Sequence, residues 1–170
     1  MQSLYFLLLV VVLLILQTTA LNYVVVYGIK PDLVLILVIL NGFLRGTREG
    51  AFLGFLAGIV QDLVCGGYFG LNALTKMAAG YLAGLGEGRL YRDNRVIAAG
   101  LTWVCTLGSQ LVFYSLLLLI DVPVPVLTAL VQIIMPAAFY NALVVLVVYG
   151  YYYRFSQNGS PGSGEYFNPR

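Results

Sequence analysis

Residues 50–76 read GAFLGFLAGIVQDLVCGGYFGLNALTK. Gly50, Gly54 and Gly58 recur at every fourth position, and Asp62 takes the next place in the same register. On a helix each step of four drifts by about 40°, so these positions stay on one broad face. Phe52, Leu53, Phe55, Leu56, Ile59 and Val60 surround them and are compatible with lipid. A smooth glycine face lets a second helix approach closely in a membrane, where packing drives association. Lys76 opens a second series of the same step, followed by Gly80, Gly84 and Gly88. The spacing predicts two antiparallel helices in a tight hairpin, packed glycine face to glycine face. A charge at membrane depth normally has a partner. Asp62 and Lys76 flank the same turn, which predicts that they pair with each other.

Composition bounds the class. Of 170 residues 61% are hydrophobic and 9% charged, and the mean hydropathy is +0.92. A soluble globular domain does not have this composition, and an all-α integral membrane protein does. The chain contains no His, which argues against His-based catalysis or a metal site. No Ser/His/Asp, Cys/His or paired-carboxylate arrangement points to an enzyme, and no cofactor is expected. Cys65 and Cys105 lack CxxC spacing and read as packing residues. The Gly84–Gly88 run follows a membrane helix and not a strand, so it does not read as a phosphate loop. No feature suggests a nucleic-acid partner.

Working outward, residues 4–16 are continuously apolar and predict a first membrane helix over about 4–24, with Tyr23 and Tyr27 at the interface. A cleaved signal peptide is the other reading, but residues 1–3 lack the positive charge that its start needs. Lys30-Pro31-Asp32 opens helix 2, because proline suits a first helical turn. The apolar run after it covers only about 18 Å, short of a hydrocarbon core of about 30 Å. Helices 3 (49–64) and 4 (71–86) are also short. Short segments of this kind mark substrate sites in some transporters; local thinning of the membrane, or burial among longer helices, is the simpler reading and the one expected here. Helix 5 is expected over 96–120 and helix 6 over 126–153, with Pro136 kinking the latter by deleting a backbone bond. Gln61, Asn72, Gln110, Gln132 and Asn141 are expected to hydrogen-bond across helices. Residues 1–154 would form one six-helix transmembrane domain. Residues 155–170, rich in Gly, Ser, Pro and Asn, would form a flexible cytoplasmic tail.

Six helices put both termini on one side. That side carries Arg45, Arg48, Arg89, Arg92, Arg95, Arg154 and Arg170, whereas the other carries Lys30, with Lys76 near it. Basic residues mark the cytoplasmic side, so both termini are expected there. For Asp62 and Lys76 two roles stand open, a structural pair that fixes the hairpin and an ion-coupling site.

The order of these features resembles the MreD family, rod-shape-determining membrane proteins of bacteria. The resemblance starts at Lys30-Pro31-Asp32-Leu33. It runs through Gly50, Gly54-Phe55, Gly58, Asp62, Gly66 and Gly70, which are similar to the family's G-x-x-x-G-F-x-x-G-x-x-x-D-x-x-x-G-x-x-x-G core, and extends to helix 6 with Pro136. It covers residues 1 to about 155; Lys76 matches no family motif. The resemblance implies a non-enzymatic scaffold of the elongation machinery in the bacterial cytoplasmic (inner) membrane. It would act with MreC and, in the same complex, with MreB, RodA and a class B penicillin-binding protein, among membrane lipid. It also implies a fold like the S components of energy-coupling-factor transporters, which leaves a small-molecule-binding transporter subunit as the alternative. Helix 1 lacks the Ala-x-x-x-Ala coupling motif of those subunits, which counts against that alternative.

Overall fold

The computed structural model describes residues 2–19, 30–66, 68–91, 94–122 and 125–158. Six helices account for most of them, and no strand is present among the described residues. They are α1 (Gln2–Thr19), α2 (Leu33–Arg45), α3 (Thr47–Cys65), α4 (Leu71–Gly84), α5 (Arg95–Leu119) and α6. The last opens as Val126–Thr128, widens into a π-helical stretch at Ala129–Ile134 and resumes as Met135–Asn158. Two helices are long and apolar enough to cross a membrane, Arg95–Leu119 and Val126–Tyr152. The expected interface positions Tyr23 and Tyr27 lie outside the described residues. So does the tail from residue 159 onward, while α6 itself runs four residues past the boundary expected at 154.

The centre of the bundle is α2. Every residue from Val34 to Phe43 is buried, and a helix that is apolar all round belongs inside a protein. Three apolar clusters share it. Val34, Leu37 and Val38 meet Phe6, Val10 and Leu14 of α1 and Leu53 and Ala57 of α3. Ile36, Leu40 and Phe43 meet Ala98 and Ala99 of α5 and Val145 and Tyr149 of α6. Leu35 and Ile39 meet Ala79 and Ala83 of α4 and Cys105 of α5. Burial among its neighbours therefore accounts for the shortness of α2. Its 13 residues cover about 20 Å.

The most extensive helix pair is α3 with α4, followed by α5 with α6. Trp103 of α5 meets Phe139 of α6 edge to face, with ring centroids 6.5 Å apart. Large apolar side chains of α1 (Leu8, Val12, Ile15), α5 (Val104, Leu111, Leu118) and α6 (Val131, Leu143, Val147) are exposed, as lipid-facing surfaces require.

Pro136 follows a local change in the helix ladder. It has no N–H to give, and its ring would clash with the carbonyl four residues back. The chain responds by widening the preceding turn: the Met135 N–H donates to the Leu130 carbonyl, five residues back. The proline is thus accommodated by a π-helical turn.

Candidate functional site

The glycines of α3 and α4 do interlock, and a third helix joins them. A Cβ added at Gly80 would strike the Gly50 carbonyl, and one at Gly50 or Gly42 would strike the Gly80 carbonyl. Gly50 would also meet Gly42 Cα at 2.6 Å. Gly42 of α2, Gly50 of α3 and Gly80 of α4 therefore form one junction in which backbone lies on backbone. The contact extends in both directions along the hairpin. Gly54 faces the Lys76 carbonyl, Gly58 faces Asn72 and Ala73, and Gly84 faces Gly46 and Thr47.

Gly66, Gly70 and Gly88 do not belong to this packing face. A Cβ at any of them would meet nothing within 4 Å. All three have positive φ, of 64°, 97° and 69°. Glycine serves there for its left-handed backbone: Gly66 ends α3, Gly70 precedes α4, and Gly88 lies in the turn beyond α4.

The expected pairing of Asp62 with Lys76 is corrected. The Asp62 carboxylate caps α4 instead. Its Oδ2 accepts the backbone N–H of Gly70 at 2.9 Å and of Ala73 at 3.3 Å. Its Oδ1 accepts the Asn72 N–H at 3.3 Å and the Asn72 side-chain Nδ2 at 2.8 Å. The first N–H groups of a helix have no partner within it, and Gly70, at the cap position, has no side chain to offer them. A carboxylate from the neighbouring helix fills that need and also favours the positive end of the helix dipole. These four donors account for the buried charge without a cation. Asp62→Ala should therefore lower stability by about 2 kcal/mol, the upper end of N-cap losses, in thermal unfolding in detergent, and Asp62→Asn by less.

Lys76 pairs with Asp32. Its Nζ lies 2.8 Å from Asp32 Oδ2, with side-chain exposures of 3% and 20%. The other oxygen of Asp32, Oδ1, accepts the Leu35 N–H at 2.9 Å and so caps α2. The Asp32 backbone N–H donates to Asn141 Oδ1 of α6 at 3.0 Å, and Asn141 Nδ2 donates to Thr106 Oγ1 of α5 at 3.4 Å. One polar chain thus ties together the start of α2, the first turns of α4 and the middles of α5 and α6. Thr106 lies about 17 Å along α5 from Arg95, so α2 begins at mid-depth of its longest neighbours. A helix start at that depth exposes unmatched N–H groups to apolar surroundings. Asp32 satisfies them, and Lys76 neutralises the carboxylate.

Among the other polar residues, Asn72 and Asn141 bridge helices as expected. Gln61 is buried with its Oε1 unpartnered, Gln132 is exposed and Gln110 half-buried. Cys65 is exposed and Cys105 buried, and both are free thiols.

Comparison with known proteins decides the family. The family model for the rod shape-determining protein MreD matches residues 1–158, which is nearly the whole chain. The chain belongs to the MreD family. No curated protein and no solved structure matches it. MreD proteins are membrane proteins of cell-shape determination, and the family is not known for enzymatic activity. In this MreD chain the core motif divides by physical role. Gly50, Gly54 and Gly58 are contacts, Asp62 is a cap, and Gly66 and Gly70 are turn residues. Two residues of the assembly escaped the sequence reading, Gly42, a lone glycine in an apolar helix, and Asp32, the N-cap of a helix that runs parallel to that of Lys76.

Proposed function

We propose that this MreD-family protein is a non-enzymatic scaffold of the cell-elongation machinery, with six membrane spans and both termini in the cytoplasm. It holds the transmembrane helix of MreC and links it to peptidoglycan synthesis, with RodA, a class B penicillin-binding protein and MreB in the same assembly. The observation that carries this reading is the junction of Gly42, Gly50 and Gly80. Backbone contact leaves no room for a ligand between α2, α3 and α4, while apolar faces of α1, α5 and α6 stay uncovered. A rigid interior with open lateral faces suits a protein that positions other helices. It favours the scaffold over a transporter subunit of the S-component type.

Affinity purification from native membranes tests the reading. MreC is expected in the eluate at a fixed ratio to the bait. A bait that arrives without MreC and carries a bound small molecule supports the transporter subunit instead. Orientation has its own test. Fusions after Arg154 should be active with a cytoplasmic reporter and silent with alkaline phosphatase; full phosphatase activity would overturn the six-span count.

A further inference from the structure

The inner end of the bundle carries more positive charge than its carboxylates match. Arg45 lies 3.6 Å from Glu49, and the Glu87 carboxylate lies beside Gly46 at the start of α3. Arg48, Arg89 and Arg95 are exposed and form no ion pair or hydrogen bond among the described residues. Arg48 follows Thr47, which abuts Gly84 at the end of α4, and Arg89 follows the turns beyond α4. Arg95 differs from the other two in lying against a neighbouring helix. A Cβ at Gly150 of α6 would meet its Nη2 at 2.6 Å, its Cζ at 2.9 Å and its Nε at 3.1 Å. The guanidinium therefore lies against the bare backbone of α6, with one face on the helix and its N–H fork unpaired. Tyr151, 80% exposed, follows Gly150 directly. A planar, pre-positioned guanidinium matches the paired oxygens of a phosphate better than a mobile ammonium does.

We propose that Arg95, seated on Gly150, binds the phosphate of an anionic phospholipid headgroup, with Arg48 and Arg89 adding to the field that attracts it. Basic residues at the cytoplasmic ends of membrane helices recognise anionic lipid in this way. The inference rests on reading this end of the bundle as lying in the headgroup layer. That reading fails or stands with the reporter fusions, whereas lipid binding is measured on purified protein.

The experiment is native mass spectrometry and thermal unfolding of detergent-purified protein titrated with phosphatidylglycerol, phosphatidylcholine or inorganic phosphate. Phosphatidylglycerol should bind and stabilise the wild type, and the other two should not. Arg95→Gln should weaken that binding about fivefold. Gly150→Ala should weaken it similarly although every charge is kept, because the new methyl displaces the guanidinium. Alanine also favours a helix more than glycine does, so a general loss of fold is not the expected cause. Arg95→Lys, which keeps the charge and lacks the fork, should fall between the wild type and Arg95→Gln. Undiminished binding by Gly150→Ala would overturn the seated site, and equal binding of phosphatidylcholine would overturn the anionic preference. Stabilisation by inorganic phosphate alone would reassign the site to a soluble phosphate compound.

Discussion

Gly80→Leu should prevent the bundle from assembling. Gly80 faces the Gly50 carbonyl and lies 3.1 Å, measured from its virtual Cβ, from Val38 Cγ1 of α2. A leucine there has no rotamer that avoids both neighbours, so α4 must withdraw from α2 and α3 together. Overpacking a core costs about 1–3 kcal/mol where side chains can shift. Here the obstacle is backbone, which shifts least, so a loss above about 3 kcal/mol is expected from a total of about 5–15 kcal/mol. Gly42→Leu and Gly50→Leu should behave alike, because all three residues meet at one point. Gly88→Ala should be mild by comparison, its cost being confined to the backbone conformation of a turn. The check is the yield of folded protein in the membrane and its melting temperature in detergent. Normal assembly of Gly80→Leu would mean that the helices do not approach as described.

The second large effect belongs to Asp32 and Lys76. Removing one partner of a buried ion pair leaves an uncompensated charge, at a cost of about 3–5 kcal/mol. Asp32→Asn and Lys76→Met should each approach that loss, the former also weakening the cap on Leu35. The double variant D32N/K76M buries no charge and should recover a large part of it. Asp62 supplies the internal control. Its carboxylate touches only donors around the start of α4, so Asp62→Asn and Lys76→Met should combine additively. A double-mutant cycle on thermal stability separates the two cases. Strong coupling of Lys76 to Asp62, with none to Asp32, would reverse the assignment.

Much of this was open to reading from the residues, for stated physical reasons. The step of four glycines is periodic, and periodicity survives in sequence, so the α3–α4 hairpin was legible with its contact positions Gly50, Gly54, Gly58, Gly80 and Gly84. Gly42 was not, because a single glycine carries no period. The pairing of Lys76 followed distance along the chain, which favoured Asp62 across the turn. Direction would have served better. The helices α2 and α4 run the same way, so their first turns lie at one level, and the N-cap carboxylate of one reaches the second turn of the other. The role of Asp62 was hidden by Gly70, since a glycine at the cap position creates a need that its own side chain cannot meet. Pro136 announced a perturbation, but whether a helix bends or widens depends on what packs around it.

The scaffold reading requires that the buried charges serve the fold and not transport. Cell shape in a strain that depends on D32N/K76M tests this most directly, with the stability of the variant and its retention of MreC measured beside it. A folded variant that keeps MreC and supports rods is the expected result. Round cells from a variant that is stable and still bound to MreC would contradict it, and would give the Asp32–Lys76 pair a function of its own.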